Sequence, residues 1–364
     1  MFASMRAEFR ACALLFFVVA IYFAAVAGFI AVHRGGKALL VFRPDGILNQ
    51  GLLAVWGITI GFLGVAYCAR LCFAGTPSAI LTRLAIDLKA FLRSEVLTFR
   101  VVIFVVWFLL MWSFTSFKTM IGPMHGFTWD PPIAAFERTV LFGHDAWQYT
   151  HFLLGSPLAT FMLQMSYNGW FALMWGSIIL CLLFVENVRA VLHYLLAFTL
   201  CWIIVGSLAA YFLASAGPCF YERVLSDAHF QPLMSRLHEI DHALNSTFPI
   251  LDLTSLDVQD ILWSWHTTHH NGLGAGISAM PSVHVGLAFV MARGAFLLRP
   301  VYGKLMSIYV ALIWIASVHL GWHYAFDGAV ALLLVAPIWK ISGWLAGICL
   351  DAQRQRAALG AFAG

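Results

Sequence analysis

Charge is what this chain has least of. Of its 364 residues only 10% are Asp, Glu, Lys or Arg, whereas soluble domains average about 25%, and 62% of the chain is hydrophobic. That balance excludes a water-soluble globule. No CxxC pair occurs, and of the seven cysteines all but Cys219 fall within apolar stretches, so neither a disulfide framework nor a zinc ribbon is indicated. Strand-type alternation and internal repeats are also missing. A lipid interior demands that each segment satisfy its own backbone polar groups, which leaves helices.

What the chain does have is long apolar runs. Eight stretches are long enough to cross roughly 30 Å of hydrocarbon: 11–32, 52–70, 100–117, 167–185, 190–213, 281–298, 303–320 and 323–339. The expectation is an all-α integral membrane protein of about eight transmembrane helices, rich in interfacial Trp, Tyr and Phe. The first run has a signal-peptide outline, with Arg6 and Arg10 ahead of it and Ala25-Val26-Ala27 like a cleavage site. It continues to Val32, which reads as an uncleaved helix. The GxxxG at Gly57–Gly61 reads as a helix-packing feature.

With both termini inside and eight alternating spans, two thirds of the 21 Lys and Arg fall on the inner side. The net charge of +4 is thereby topogenic rather than a nucleic-acid patch. Residues 118–166 and 214–280 then lie outside, the first of them reading as short interfacial helices. A multi-pass protein of the cytoplasmic membrane, or of an equivalent organelle membrane, follows, with its outer or luminal face carrying the chemistry.

Ionisable groups at membrane-helix ends are functional candidates. "GISAMPSVHVGLAFV" (276–290) places Ser278, Pro281, Ser282 and His284 at the mouth of an apolar helix. Pro281 suits a first helical turn, and the free amides from Ser282 onward would cradle an anion. "ASVHLGWHYAFDG" (316–328) spaces His319, His323 and Asp327 at i, i+4 and i+8, one face if the stretch is helical. Asp327 could then fix the His323 tautomer and leave its other nitrogen basic. The topology brings His284 and His323 to one membrane face, a plausible acid/base or nucleophile site.

"SAMPSVH" and "GWHYAFD" resemble the second and third signature motifs of the type 2 phosphatidic acid phosphatase superfamily. The first is most similar to the inositol phosphotransferase branch, which includes fungal inositol phosphorylceramide synthase. The resemblance spans roughly 100–345. It implies a six-helix catalytic core within 98–350, with 1–97 as a two-helix N-terminal extension and 351–364 as a cytoplasmic tail. It also implies that His323 is a nucleophile forming a phosphohistidine, that Asp327 orients it, that His284 protonates the leaving group, and that Ser282 and nearby backbone hold the phosphate. No metal or other cofactor is implied.

Two departures shape the reading. The Ser-Arg element of the phosphatases is replaced by Ala316 and Ser317, and their Lys and Arg-Pro motif is missing from its usual place. "ASAGPCFYERV" (214–224) stands there instead, offering Arg223 as phosphate clamp and Tyr221 beside it. The implied function is therefore transfer of a phosphate-linked head group from a phospholipid donor to a lipid or alcohol acceptor. A lipid phosphate or polyprenyl pyrophosphate phosphatase is the alternative within the superfamily. Two other classes fit parts of the sequence. "HEIDH" (His238–His242) matches the H-E-x-x-H zinc-protease pattern, with His266, His269 or His270 as a third ligand. Its surroundings read as an amphipathic surface helix, with Leu233, Leu237, Ile240 and Leu244 on one side. The remaining class is a lipid carrier without catalysis.

Overall fold

The computed structural model describes residues 12–34, 95–185, 187–268 and 274–362, with isolated positions at 61, 64, 82 and 86. Among these residues there are helices and no strands. Six helices are long and apolar enough to span a bilayer. They are α1 (Ala13–Arg34), α2 (Glu95–His125), α5 (Pro157–Phe184), α6 (Val188–Leu200, continued through Cys201–Ala209 to Ala210–Phe212), α11 (Pro300–His319) and α12 (Ala325–Phe362). The α10 helix (Val283–Leu298) is apolar but has only 16 residues, about 24 Å of rise. Of the span expected over 52–70, with its GxxxG at Gly57–Gly61, only positions 61 and 64 are described.

The short helices lie between spans. They are α3 (Asp130–Val140), α4 (Ala146–Leu154), α7 (Tyr221–Leu225), α8 (Gln231–Thr247) and α9 (Thr254–Thr267). Amphipathic patterning explains α8, whose buried residues are Leu233, Leu237, Ile240 and Leu244. Its two His, His238 and His242, are exposed.

Helix limits differ from the apolar runs where caps outweigh hydropathy. α5 starts ten residues before the run at 167 because the Ser156 hydroxyl accepts from Ala159 N and Pro157 opens the first turn. α12 continues from Ala325 to Phe362, through the stretch set apart as a tail. In the bundle, α10 packs along α11 and α6 along α12, while α1 rests on α2. The α6 helix passes into π-helical turns over Cys201–Ala209. There Ser207 Oγ meets Tyr22 OH of α1 at 2.7 Å, and Gly206 faces Phe114 and Val283 so closely that a Cβ would overlap the Phe114 ring.

One expectation is corrected here. His319, His323 and Asp327 do not share a helical face, because α11 ends at His319 and α12 begins only at Ala325. Gly321, at φ +75°, turns the chain just past the α11 C-terminus. His319 is thereby carried away from the other two, its ring stacked on His151 at 3.9 Å and its Nε2 2.9 Å from Thr160 Oγ1.

Candidate active site

His323 sits in the turn before α12, and Asp327 in the first turn of that helix. His323 Nδ1 donates to Asp327 Oδ2 across 3.1 Å, and the same oxygen accepts from Tyr324 N at 3.1 Å. Asp327 is fully buried and His323 is 5% exposed. The bond commits Nδ1 and leaves Nε2 as the basic nitrogen.

His284 occupies the first turn of α10, with its ring centroid 5.9 Å from that of His323. Its ring lies between Tyr167 at 4.7 Å and Trp170 at 4.3 Å. Tyr167 OH is 3.2 Å from His284 Nδ1. His284 Nε2 is buried and has no hydrogen-bond partner among the described residues.

Ser282 and Pro281 have structural work. The helix begins at Val283, so Pro281 lies before the cap instead of in the first turn. Ser282 is the N-cap: its Oγ accepts from Val285 N, its carbonyl from Gly286 N, and its own N–H donates to Asp327 O at 3.1 Å. That last bond locks the mouth of α10 to the start of α12. In a helix that starts at Val283, the amides without an intrahelical or capping acceptor are those of Val283 and His284, while that of Ser282 is taken by Asp327.

A cavity of about 270 Å³ opens between these elements. His284, His323, Ser278 and Val283 line one part, and Trp170, Trp175, Trp202, Phe114 and Met111 continue it along the spans. Neither Arg223 nor Tyr221 is among its lining residues. Arg223 instead pairs with Asp260 at the surface and lies 5.9 Å over the Trp263 ring. Tyr221 is buried against Phe230, with ring centroids 5.1 Å apart.

Three further groups, which no motif in the sequence marks, bear on the site. Asp130, fully buried at the start of α3, accepts from Ala216 N at 2.7 Å, Gly217 N at 2.9 Å and Tyr324 OH at 2.8 Å. It ties the 214–224 stretch to the residue next to His323. Burial pushes its carboxyl up to about 6, against the opposing pull of those hydrogen bonds. Glu137, two turns along the same face of α3, accepts from Phe326 N at 3.2 Å and so caps the α12 terminus. Burial pushes its carboxyl up to about 7. Lys118, near the C-terminal end of α2, lines the cavity. In the sequence it falls among the minority of Lys and Arg on the outer side. The one signal available was a lone lysine at the end of an apolar run.

The zinc-protease pattern finds no comparable geometry. Glu239 pairs with Arg236 at 3.2 Å and Asp241 accepts from Leu253 N at 2.6 Å. His266 stands against Phe127 and Trp263, and His269 and His270 lie outside the described residues. Among the described residues, no group of three or more His, Cys, Asp or Glu side chains is placed to share an ion.

The helical bundle, with six helices long and apolar enough to cross a bilayer, is that of a multi-pass membrane protein, and a paired His–Asp faces a second His in its cavity. The family model described as the PAP2 superfamily matches residues 131–341, more than half of the chain. The chain belongs to that superfamily, the type 2 phosphatidic acid phosphatases, and is an enzyme of the phosphatase and phosphotransferase kind. No curated protein and no solved structure matches it.

Proposed function

We propose that the protein is a lipid phosphotransferase of the inositol phosphotransferase kind. It moves a phosphate-linked head group from a phospholipid donor to a hydroxyl acceptor through a phosphohistidine. The observation that carries this reading is the His323–Asp327 pair held opposite His284, with ring centroids 5.9 Å apart, in one aromatic-walled cavity.

In the first step His323 Nε2 attacks phosphorus. The bond from phosphorus to the leaving oxygen breaks, and imidazolium His284 gives that oxygen its Nε2 proton. Nδ1–H of His284 meanwhile donates to Tyr167 OH, and Asp327 stabilises the charge that builds on His323. In the second step the acceptor hydroxyl gives its proton to His284 and its oxygen attacks phosphorus. The phosphorus–nitrogen bond breaks and His323 returns to its starting state.

The phosphate seat consists of Ser278 and the free amides of Val283 and His284. Ser282 and Pro281 shape it from behind. Apolar walls favour an organic hydroxyl over water as acceptor. The catalytic part is 98–350, with 1–97 as an N-terminal addition and 351–364 as a tail. The site faces the outer or luminal side, because the inner segments hold the larger share of Lys and Arg.

The test is turnover by the purified enzyme in mixed vesicles, with a phospholipid diester donor and a long-chain alcohol acceptor. A new phosphodiester product supports transfer. Release of free phosphate alone from phosphatidic acid would instead make the enzyme a lipid phosphatase.

A further inference from the structure

We propose that Lys118 is the cation that holds the substrate's phosphate, and that its single charge matches the cavity to a singly charged phosphodiester. This rests on the phosphotransfer reading of the same site. It assigns the clamp to a helix that neither signature motif contains.

Lys118 lines the cavity together with His284, His323 and Ser278. Among the described lining residues it is the sole Lys or Arg, and no Asp or Glu lines the cavity. Among the described residues it also has no hydrogen-bond or ion-pair partner. A lysine in the last third of an apolar span, without a carboxylate, carries a desolvation cost that an anionic ligand would offset.

The backbone gives Lys118 a fixed place relative to the phosphate seat. Gly276, at φ +88°, packs directly on Lys118: a Cβ there would come within 2.8 Å of the Lys118 carbonyl carbon and 2.9 Å of its oxygen. Any residue but glycine would push apart the 274–282 stretch and α2. Gly276 is two residues from Ser278, so the backbone that carries the cation packs directly on the stretch that carries the seat.

Counting charge then gives the substrate class. In the reactive state the His323–Asp327 pair carries one negative charge, the His284 imidazolium one positive and Lys118 one positive. The sum is one positive charge, which a phosphodiester monoanion neutralises. A phosphomonoester dianion would leave one uncompensated negative charge in an apolar site. Without Lys118 even the diester is left uncompensated. Arg223, committed to Asp260 at the surface, does not enter the sum.

The experiment has two arms. In the first, purified Lys118→Met, Lys118→Arg and wild-type enzymes are assayed with a diester phospholipid and with phosphatidic acid of the same chains. Lys118→Met should lose about 10–100-fold in kcat/KM on the diester, the scale of one charge-assisted hydrogen bond, mainly through KM. Lys118→Arg should recover most of that loss. In the second, the diester lipid is titrated into His323→Ala protein, and melting temperature is read. The lipid should stabilise His323→Ala, and the double variant His323→Ala/Lys118→Met should show no such shift. Equal stabilisation of single and double variants overturns the assignment of Lys118, whether or not turnover is seen. Diester and phosphatidic acid turned over equally by wild type overturns the charge match. A wild type inactive on every lipid phosphate, but with a Lys118-dependent shift, would sink the phosphotransfer reading and leave the lysine site standing.

Discussion

The Tyr324 hydroxyl donates to Asp130 across 2.8 Å, joining residues 194 positions apart in the chain. Tyr324 is the neighbour of His323, and Asp130 also holds the Ala216 and Gly217 amides. The His323 backbone is thereby fixed by a carboxylate that never reaches the cavity, so Asp130 is a positioning residue. Tyr324→Phe should lower turnover on the order of 10-fold through kcat while KM stays within about twofold, since orientation and not binding is disturbed. Asp130→Ala should also cost stability on the order of 2–4 kcal/mol, because two buried amides lose their acceptor. Thermal melts beside steady-state kinetics check both. A Tyr324→Phe enzyme whose KM rises and whose kcat holds would contradict the positioning role.

The α3 carboxylates set a pH dependence of stability. Asp130 is raised from 3.8 to about 6 and Glu137 from 4.5 to about 7, both by burial. Between their unfolded and folded values the native state binds more protons than the unfolded one, so stability falls as pH rises through that window. Each carboxyl accounts for at most about 3 kcal/mol. The melting temperature in detergent should therefore be higher near pH 5 than near pH 8, and Glu137→Gln should flatten the slope between about 4.5 and 7. A melting temperature rising over that range would count against these burial-driven shifts.

Surface and cavity cations should separate. Arg223 and Asp260 form an exposed pair, their side chains 37% and 63% accessible, of a kind that contributes about 0.2–1 kcal/mol. Arg223→Ala should leave kcat/KM within about threefold of wild type. A hundredfold loss would return the phosphate clamp to Arg223.

Much of the site was legible because it is local in sequence. The i, i+4 spacing of His323 and Asp327 anticipates their contact even though His323 is not helical, and "SAMPSVH" marks the mouth of α10. The apolar runs anticipate seven of the described elements, with helix ends displaced where Ser156 and Ser282 act as caps. What was not legible is long-range. Arg223 looked like the clamp until Asp260, 37 residues on, was seen to hold it. Asp130 and Glu137 lie in a stretch that reads only as short interfacial helices, and their partners Tyr324 and Phe326 are about 190 positions away. His319 was grouped with His323 by periodicity, which the Gly321 turn breaks.

The acid role of His284 can be isolated through the leaving group. His284→Ala should slow a phospholipid donor by about 10²–10⁴, the usual loss for a missing general acid. A nitrophenyl phosphodiester, whose leaving group needs no proton, should be affected far less. Equal losses on the two donors would remove His284 from that role.

The central claim is that His323 carries the phosphate between donor and acceptor. It is tested most directly by mixing enzyme with a donor labelled at phosphorus, quenching in the absence of acceptor and mapping the labelled peptide. The expected result is label that survives alkali, is lost in acid, lies on the peptide containing His323, and is absent from His323→Ala protein that melts at the wild-type temperature. Label retained by His323→Ala, or a wild type that transfers its head group without ever becoming labelled, would contradict the account.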